Sequence, residues 1–550
     1  MAFDGFITKA IVVELDKEIL NAKIDKINQP DKNSIYLGLY KNGQNYLLHL
    51  CIHPENCRIH LTTHPKQNPL VAPNFCMLLR KHILGFKIIS ISMDDLERTV
   101  ELLLECYNDF SEKVIKKLVI EIMGRYSNIF LLDSESKIID SLKHVNTSRN
   151  LLPKTVYTPP VSSKVSLFDL QNFAEFYNSL SAYHFSLNNA FIGFSKNFAE
   201  FLMRKFTVIP SKKESFIPLY EYLQKLVKFD NFYCLELEDN DYVLDTTSTN
   251  VPLQVNFFID DFYFEKESKA QFINLRDTLL KMILSVLKKY EKRLENINHK
   301  LKETENMDLY KLYGELLIAN LYKCNKNIDS ITVENYYDEN NPLTIPLDKS
   351  VSPHKNADRY FKRYSKLKNA LKIVSGQKLE TEQELEYIES IVFSLENSKS
   401  FEDLNDIYLE LSSSYLFNDF FKNKSKKEKV KQSKSSPISM TVDGYTILIG
   451  KNNKQNDTLT LKTARPYDMW FHTQKIHGSH VILKLEPNAK INDSILHTCA
   501  VLAVQYSKGK DSTNVPVDYT YVKYVKKPIG AKPGMVTYTH QKTIYVNPSE

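Results

Sequence analysis

The densest group of side chains able to do chemistry lies near the C-terminal end. Gly450-Lys-Asn-Asn-Lys-Gln-Asn456 is followed by Ala464-Arg465, by Asp468-Met-Trp-Phe-His472 and by Gly478-Ser-His480. A glycine-opened loop of asparagines and lysines offers backbone amides, side-chain amides and cations together. That mixture suits phosphate oxygens and sugar hydroxyls better than a catalytic dyad. It marks Lys451, Asn452, Asn453, Lys454, Asn456, Arg465, His472 and His480 as candidate RNA contacts. Further on, Tyr506-Ser-Lys-Gly-Lys510 and Val522-Lys-Tyr-Val-Lys-Lys-Pro528 interleave aromatics with lysines, a common arrangement on RNA-binding surfaces. They add Lys508, Lys510, Lys526 and Lys527, and the rigid turn Gly530-Ala-Lys-Pro-Gly534 presents Lys532. Trp470, the only tryptophan, and Phe471 either stack a base or fill the core, and core is the commoner outcome for Trp470.

His472, His477 and His480 invite a metal or hydrolase reading. Metal sites need a fixed helical or hairpin spacing with a carboxylate or cysteine nearby. The nearest acid, Asp468, lies four residues before His472, and no Gly-x-Ser-x-Gly elbow, Walker A loop or Rossmann glycine fingerprint occurs in the chain. Neither a cofactor, a metal nor a catalytic residue is expected. Two spots stand out near the other end. Asp4 precedes Gly5, where an acid caps a following helix. Asp94-Asp95-Leu96-Glu97-Arg98 falls at a turn between strands. An acid beside an arginine forms either a platform for a base edge or phosphate, or a surface ion pair at a hairpin.

The elements that must position these residues follow from hydrophobic period. Phe6–Ile27 has helical spacing through Ile7, Ile11, Leu15 and Ile19. Ser34–Tyr40 and Asn45–Leu50 alternate around Asn42-Gly43, a hairpin signal. Cys57–Leu61 continues the meander, Pro73–Leu84 is helical, and five further strands are predicted between Phe86 and Ser141. Leu167 to about Val255 is mixed, mostly helical, and contains Phe191-Ile-Gly-Phe-Ser195. Helices are predicted over Glu265–Ile328, Asn356–Val374 and Thr381–Asn397, with a small β excursion at Tyr336–Pro346. Two long helices joined by a compact tip make either an antiparallel coiled-coil arm or a helical bundle. Beyond the lysine- and serine-rich stretch Lys422–Pro437, strands are predicted at Ser439–Ile449, Tyr467–His472, His480–Leu485, Val515–Val525 and Thr537–Val546, with a helix at Ser494–Tyr506. The class is α+β multidomain: residues 1–165, 166–260, 261–421 as the arm, 422–437 as a basic linker and 438–550.

Composition bounds the rest. At 550 residues the chain holds about two to four domains. Net charge is +6, but Ser435–Glu550 carries 14 Lys/Arg against 8 Asp/Glu, and Lys422–Lys434 seven lysines against one glutamate. Positive charge therefore gathers at the C-terminal end, as polyphosphate contact requires, although a solvated linker beside a mildly basic domain has the same balance. The seven cysteines are odd in number and form no CxxC pair, which fits a reducing compartment. No apolar signal core or membrane span is found, so a cytoplasmic location is expected.

These pieces in this order resemble the NFACT (RqcH/NEMF) family of ribosome-quality-control factors. The resemblance covers nearly the whole chain. It rests on Met1-Ala-Phe-Asp-Gly5, Phe75–His82, Glu121-Ile-Met-Gly-Arg-Tyr-Ser-Asn128, Lys143-His-Val145 with Arg149, and Gly314–Asn320. It continues through Asn356-Ala357, Tyr364, Lys366 and Lys368, then Gly450–Asn456, Asp468–His480 and Val515–Gly534. It implies an N-terminal domain similar to formamidopyrimidine-type glycosylases, a helix-hairpin-helix domain around Phe191–Ser195, a coiled-coil arm and a C-terminal NFACT-R domain. The family implies binding to large ribosomal subunits obstructed by peptidyl-tRNA, recruitment of charged tRNA, and template-free C-terminal tailing of the stalled chain, with tRNA-Ala in bacteria. Peptide-bond formation would stay with the ribosome, and a small RqcP-type protein is an implied partner. The tRNA contacts carry over as Asp4, Glu97 and Arg98, with Arg125 among the RNA and ribosome candidates. The family's usual pair is Asp-Arg; Glu97 keeps the acceptor and lengthens the arm by one methylene.

A glycosylase attacks with an N-terminal proline followed by glutamate, whereas Ala2-Phe3 stands here. A fibronectin-binding adhesin needs export, which no signal peptide, anchor motif or disulfide framework supports, so fibronectin is an alternative partner only in a secondary, moonlighting role after non-classical export or lysis.

Overall fold

The stripe Ile7, Ile11, Leu15 and Ile19 is wholly buried, and it lies on helix α1 (Gly5–Ile19). In this computed structural model the described residues are all except 1–2, 109, 145–148, 238–240, 247–253, 325–327, 423–434, 488–490 and 549–550. Most of the expected basic linker, Met1-Ala2 of the first motif and Val145 of the fourth lie outside the described residues. The chain forms two compact units, Met1–Lys269 and Ala270–Glu550.

In the first unit α1 is followed by β1 (Lys23–Asp31), β2 (Ser34–Lys41), β3 (Gln44–Cys51), β4 (Arg58–Leu61), α2 (Asn74–Ile83), β5 (Lys87–Met93), β6 (Thr99–Tyr107), β7 (Lys113–Glu121), β8 (Asn128–Leu132) and β9 (Ile138–Ser141). The nine strands form one antiparallel sheet in the order β4-β3-β2-β1-β5-β6-β7-β8-β9. The Asn42-Gly43 hairpin is present, both residues at positive φ (50° and 83°). The helix predicted to Ile27 ends at Ile19 instead. Asn21 takes the left-handed conformation (φ 67°), which stops the helix, and Ile24 and Ile27 belong to β1.

The unit continues with α3 (Phe173–Ala182), α4 (Leu187–Ala190), α5 (Lys196–Lys205), α6 (Ile217–Leu226) and the hairpin β10 (Phe232–Leu237) and β11 (Asp241–Thr246). The region expected to be mostly helical thus also contains a β-hairpin. Phe6 meets Phe194 and Phe198 with ring centroids 4.8 and 5.2 Å apart, so α1 and the 191–198 segment share one core. Burying an aromatic of this kind contributes about 2–3 kcal/mol.

Helix α7 (Val255–Thr304) starts ten residues before the predicted Glu265 and runs on into the second unit. Then come α8 (Met307–Ala319), the hairpin β12 (Ser330–Asn335) and β13 (Asn341–Pro346), α9 (Pro353–Glu396), α10 (Phe401–Ser413) and α11 (Asn418–Phe421). The two helices predicted over Asn356–Val374 and Thr381–Asn397 are one helix of 44 residues. Gly376 interrupts the pattern in sequence, but a single helix glycine costs only about 1 kcal/mol, less than its packed flanks supply. Leu279, Ile283 and Val286 of α7 cluster with Ile388, Ile391 and Leu395 of α9, and Arg293 reaches Glu384, so the two helices run antiparallel. At the far end α8 packs on α9, and a Cβ on Gly314 would lie 2.8 Å from the Phe361 ring.

The C-terminal part holds β14 (Ile438–Val442), β15 (Tyr445–Ile449), α12 (Asn453–Thr458), β16 (Met469–Thr473), β17 (Val481–Leu483), α13 (Asp493–Gln505), β18 (Val515–Tyr521), β19 (Val525–Lys526), β20 (Thr537–Tyr538) and β21 (Lys542–Val546). Six strands pair in the order β14-β15-β17-β16-β18-β21. The single strand predicted over Ser439–Ile449 is a hairpin, turned by Asp443 (φ 49°) and Gly444 (φ 81°). Likewise Thr537–Val546 divides between β20 and β21. Along β16 the two-residue period sends Met469 and Phe471 into the core shared with α13 and Trp470 to the opposite face.

Candidate nucleic-acid interface

In the first unit, three distant segments meet at a point where only glycine fits. Gly5 N–H donates to the Gly193 carbonyl at 2.9 Å. A Cβ on Gly5 would sit 2.1 Å from the Leu96 carbonyl oxygen, and one on Gly193 2.6 Å from the Leu96 Cβ. Gly193 is also left-handed (φ +94°), which penalises any side chain further. Asp4 caps α1: its Oδ1 accepts from Ile7 N–H at 3.1 Å and its Oδ2 from Ser195 N–H at 3.3 Å. Burial pushes the Asp4 carboxyl up to about 6, while the Ile7 and Ser195 hydrogen bonds and the Arg98 charge pull it down. Burial likewise raises Glu97, opposed by Arg98.

The Arg98 carbonyl accepts from Ile122 N–H at 2.8 Å, and Thr99 pairs with Glu121 across β6 and β7. The loop after β7 is therefore the neighbour of the Asp94–Arg98 turn. On it Arg125 is exposed, its guanidinium 4.8 Å from the centroid of the exposed Tyr126 ring. At the root of this loop the buried Glu121 carboxylate accepts two bonds from Arg149, at 2.7 and 2.8 Å, and one from the Tyr157 hydroxyl at 2.8 Å. Folding thus brings Asp4, Glu97, Arg98 and Arg125 to one end of the sheet. Ser195 and Tyr126 were missed from sequence; the glycines at 5 and 193 were the signal for the first.

The C-terminal cluster is built differently. The open loop expected over Gly450–Asn456 is corrected by the structure, because Asn453–Thr458 is helix α12 and Asn452 caps it by accepting from Gln455 N–H at 2.9 Å. Asn453 donates to Ser390 Oγ at 2.9 Å and to Glu410 Oε1 at 3.1 Å. Asn456 Oδ1 accepts from His480 N–H at 3.1 Å, and a Cβ on Gly450 would collide with that oxygen at 2.1 Å. These three asparagines are buried, so their amides hold the segment together instead of offering themselves outward. Lys451 pairs with Asp403 at 3.3 Å, Lys527 pairs with Asp457, and the Lys532 amine lies 3.9 Å from the Tyr415 ring centroid. Burial lowers the Lys454 amine, with Glu410 and Asp406 opposing.

His480 is buried and its Nδ1 lies 2.7 Å from Thr460 Oγ1. Burial pushes His480 well below the usual imidazole range and His472 down to about 4, so both rings are neutral at physiological pH. Trp470 is fully buried, as the commoner outcome required. Arg465, Lys508, Lys510 and Lys526 are exposed, and Arg465 donates to the Tyr467 hydroxyl at 2.8 Å. Such exposed cations suit phosphate contact. No helix among the described residues is long and apolar enough to cross a membrane.

Residues 4–435 match the family model for NFACT N-terminal and middle domains, and residues 437–539 match the NFACT protein RNA binding domain. The chain is 34% identical to the Rqc2 homolog RqcH of Bacillus subtilis (strain 168), across 100% of its own length and 98% of that protein. Identity to the Rqc2 homolog RqcH of Streptococcus pneumoniae (strain ATCC BAA-255 / R6) is also 34%, over 100% of this chain and 98% of the relative. Among solved structures, a fibrinogen binding protein from Staphylococcus aureus is 27% identical, covering 48% of this chain and 99% of its own, with a TM-score of 0.42.

Proposed function

The chain belongs to the NFACT family, and from that premise we propose that it binds obstructed large ribosomal subunits carrying peptidyl-tRNA and recruits charged tRNA, alanyl-tRNA in particular, for template-free C-terminal tailing. A ribosome-quality-control role and RNA binding are supported at the level of the family and of its RqcH members. The tRNA half is carried by one observation, the convergence of Asp4, Glu97 and Arg98 at a glycine-lined crossing.

In this reading the protein is a positioning factor, and peptide-bond formation stays with the ribosome. Holding the acceptor-bearing tRNA in place supplies the entropic part of the rate enhancement. Glu97 and Arg98 offer one acceptor and a fork of donors, a pair able to read a base edge. Asp4, ionised at neutral pH, keeps the Arg98 guanidinium in a field of opposite charge. Residues 1–165 act as the glycosylase-like platform, 166–260 as the helix-hairpin-helix domain, 261–421 as the arm that reaches the subunit, and 438–550 as the RNA-binding end. The work takes place in the cytoplasm, with a small RqcP-type protein as partner.

The test is a pull-down of tagged protein after translation stalling, with sedimentation and sequencing of the bound tRNA. Large subunits and tRNA are expected to copurify, with alanine isoacceptors enriched. Arg98→Ala is expected to lose tRNA before it loses the subunit. Wild type sedimenting free of ribosomes sinks the reading.

A further inference from the structure

Between α9 and the C-terminal sheet lies a cavity of about 220 Å³. Its wall includes the rings of Trp470, His472, His480 and Tyr538, with Ile476 and Val536 among its apolar groups. The rings form a connected set. Trp470 and His472 are nearly parallel, 11° apart in plane with centroids at 5.7 Å, and Tyr538 lies 4.8 Å from Trp470. The buried indole N–H of Trp470 has no acceptor among the described residues.

Size and charge limit the occupant. Pockets for whole cofactors or drug-sized ligands run from about 300 to 1,000 Å³. This cavity is smaller, with room for one flat ring system. Its two imidazoles are neutral, each with one donor and one acceptor nitrogen. The Glu386 carboxylate on the α9 side repels an anion and accepts from an amine. The interior therefore disfavours phosphate and favours an uncharged polar heterocycle. Two exposed cations stand beside the lining. Lys475 is exposed there, and Lys508, also exposed, donates its backbone N–H at 2.8 Å to the carbonyl of His477, a lining residue.

We propose that this cavity takes a single unstacked nucleobase of RNA, with Lys475 and Lys508 holding the flanking phosphates. The inference rests on the RNA-binding reading of the C-terminal domain and names the site and the substrate class within it: unpaired bases, not duplex. The partly exposed His472 and Tyr538 rings offer a face to any base, the buried Trp470 ring packs against both, and polar groups of the lining read the base edge.

Trp470 is the only tryptophan in the chain, so its emission reports on the wall of this cavity alone. The full-length protein is titrated with six-nucleotide single strands of A, C, G or U and with a duplex of equal length, while anisotropy of labelled copies measures binding independently. A saturable change in emission with single strands, and little with duplex, is expected. Val536→Phe, which fills the cavity, should weaken single-strand binding about tenfold while duplex affinity stays the same. Lys475→Ala should weaken it a few-fold and lower its salt dependence by about one counterion. Single strands that bind with unchanged emission overturn the cavity and leave the RNA-binding reading intact. Equal loss of single-strand and duplex binding in Val536→Phe also overturns it, as general damage. No binding of any RNA removes the RNA-binding reading itself.

Discussion

The N-terminal and C-terminal candidate sites use similar residue types in opposite ways. At the N-terminal site, close packing is done by residues with nothing to offer chemically, Gly5, Gly193 and Leu96, and the charged residues sit around that crossing. At the C-terminal site the polar residues themselves do the packing. Asn452 caps a helix, Asn453 satisfies Glu410, Asn456 holds the 478–480 turn, and Lys451 and Lys527 neutralise aspartates. A polar motif in sequence is therefore a weak guide to a polar surface. Asparagine is equally good at satisfying buried backbone and at meeting a phosphate.

The largest effect expected is on the glycine crossing. Gly193→Ala adds a methyl 2.6 Å from the Leu96 Cβ at a left-handed position. A loss of about 2–4 kcal/mol should show as a lower urea midpoint. A change under about 1 kcal/mol would mean the crossing is not what fixes the site.

Acid–base behaviour sharpens the contrast next. Asp4 is raised to about 6 and Glu410 to about 7, both chiefly by burial. Between about pH 4 and those values the native protein keeps protons that the unfolded chain has released. Stability should therefore fall as pH rises through that window, by at most about 1.4 kcal/mol per pH unit for each group. Asp4→Asn should flatten the curve up to about pH 6, and Glu410→Gln up to about pH 7. Unfolding curves at four pH values decide it, and a profile unmoved by either change rejects the assignment.

Asn456→Ala leaves the His480 N–H without its acceptor and should cost about 1–3 kcal/mol of stability. Arg98→Ala should reverse that pattern, costing about 1–3 kcal/mol in tRNA affinity and less in stability than Asn456→Ala does. If Arg98→Ala unfolds the protein as readily as Asn456→Ala, the distinction between the two sites collapses. The smallest effect is expected from Lys510→Ala, an exposed cation. It should lower RNA affinity slightly and reduce the salt slope by about one, with no change in stability.

Most elements were legible in sequence because local period and turn chemistry decide them. The buried stripe of α1 and the Asn42-Gly43 hairpin are examples. Asp443-Gly444 carries the same turn signal, so the hairpin within the predicted Ser439–Ile449 strand is also decided locally. Gly376 lies in the gap between the two helices predicted over Asn356–Val374 and Thr381–Asn397, and one poor helix former does not break α9.

What the sequence determined by itself was the order of elements, the basic C-terminal end and the residue types Asp4, Glu97 and Arg98. Only the tertiary structure decided that those three belong to one place. It also decided which asparagines and lysines are consumed by folding, and that Trp470 walls a cavity. The reason is that local propensity depends on neighbours in sequence, whereas burial, partner and charge state depend on segments as far apart as Asp4 and Ser195.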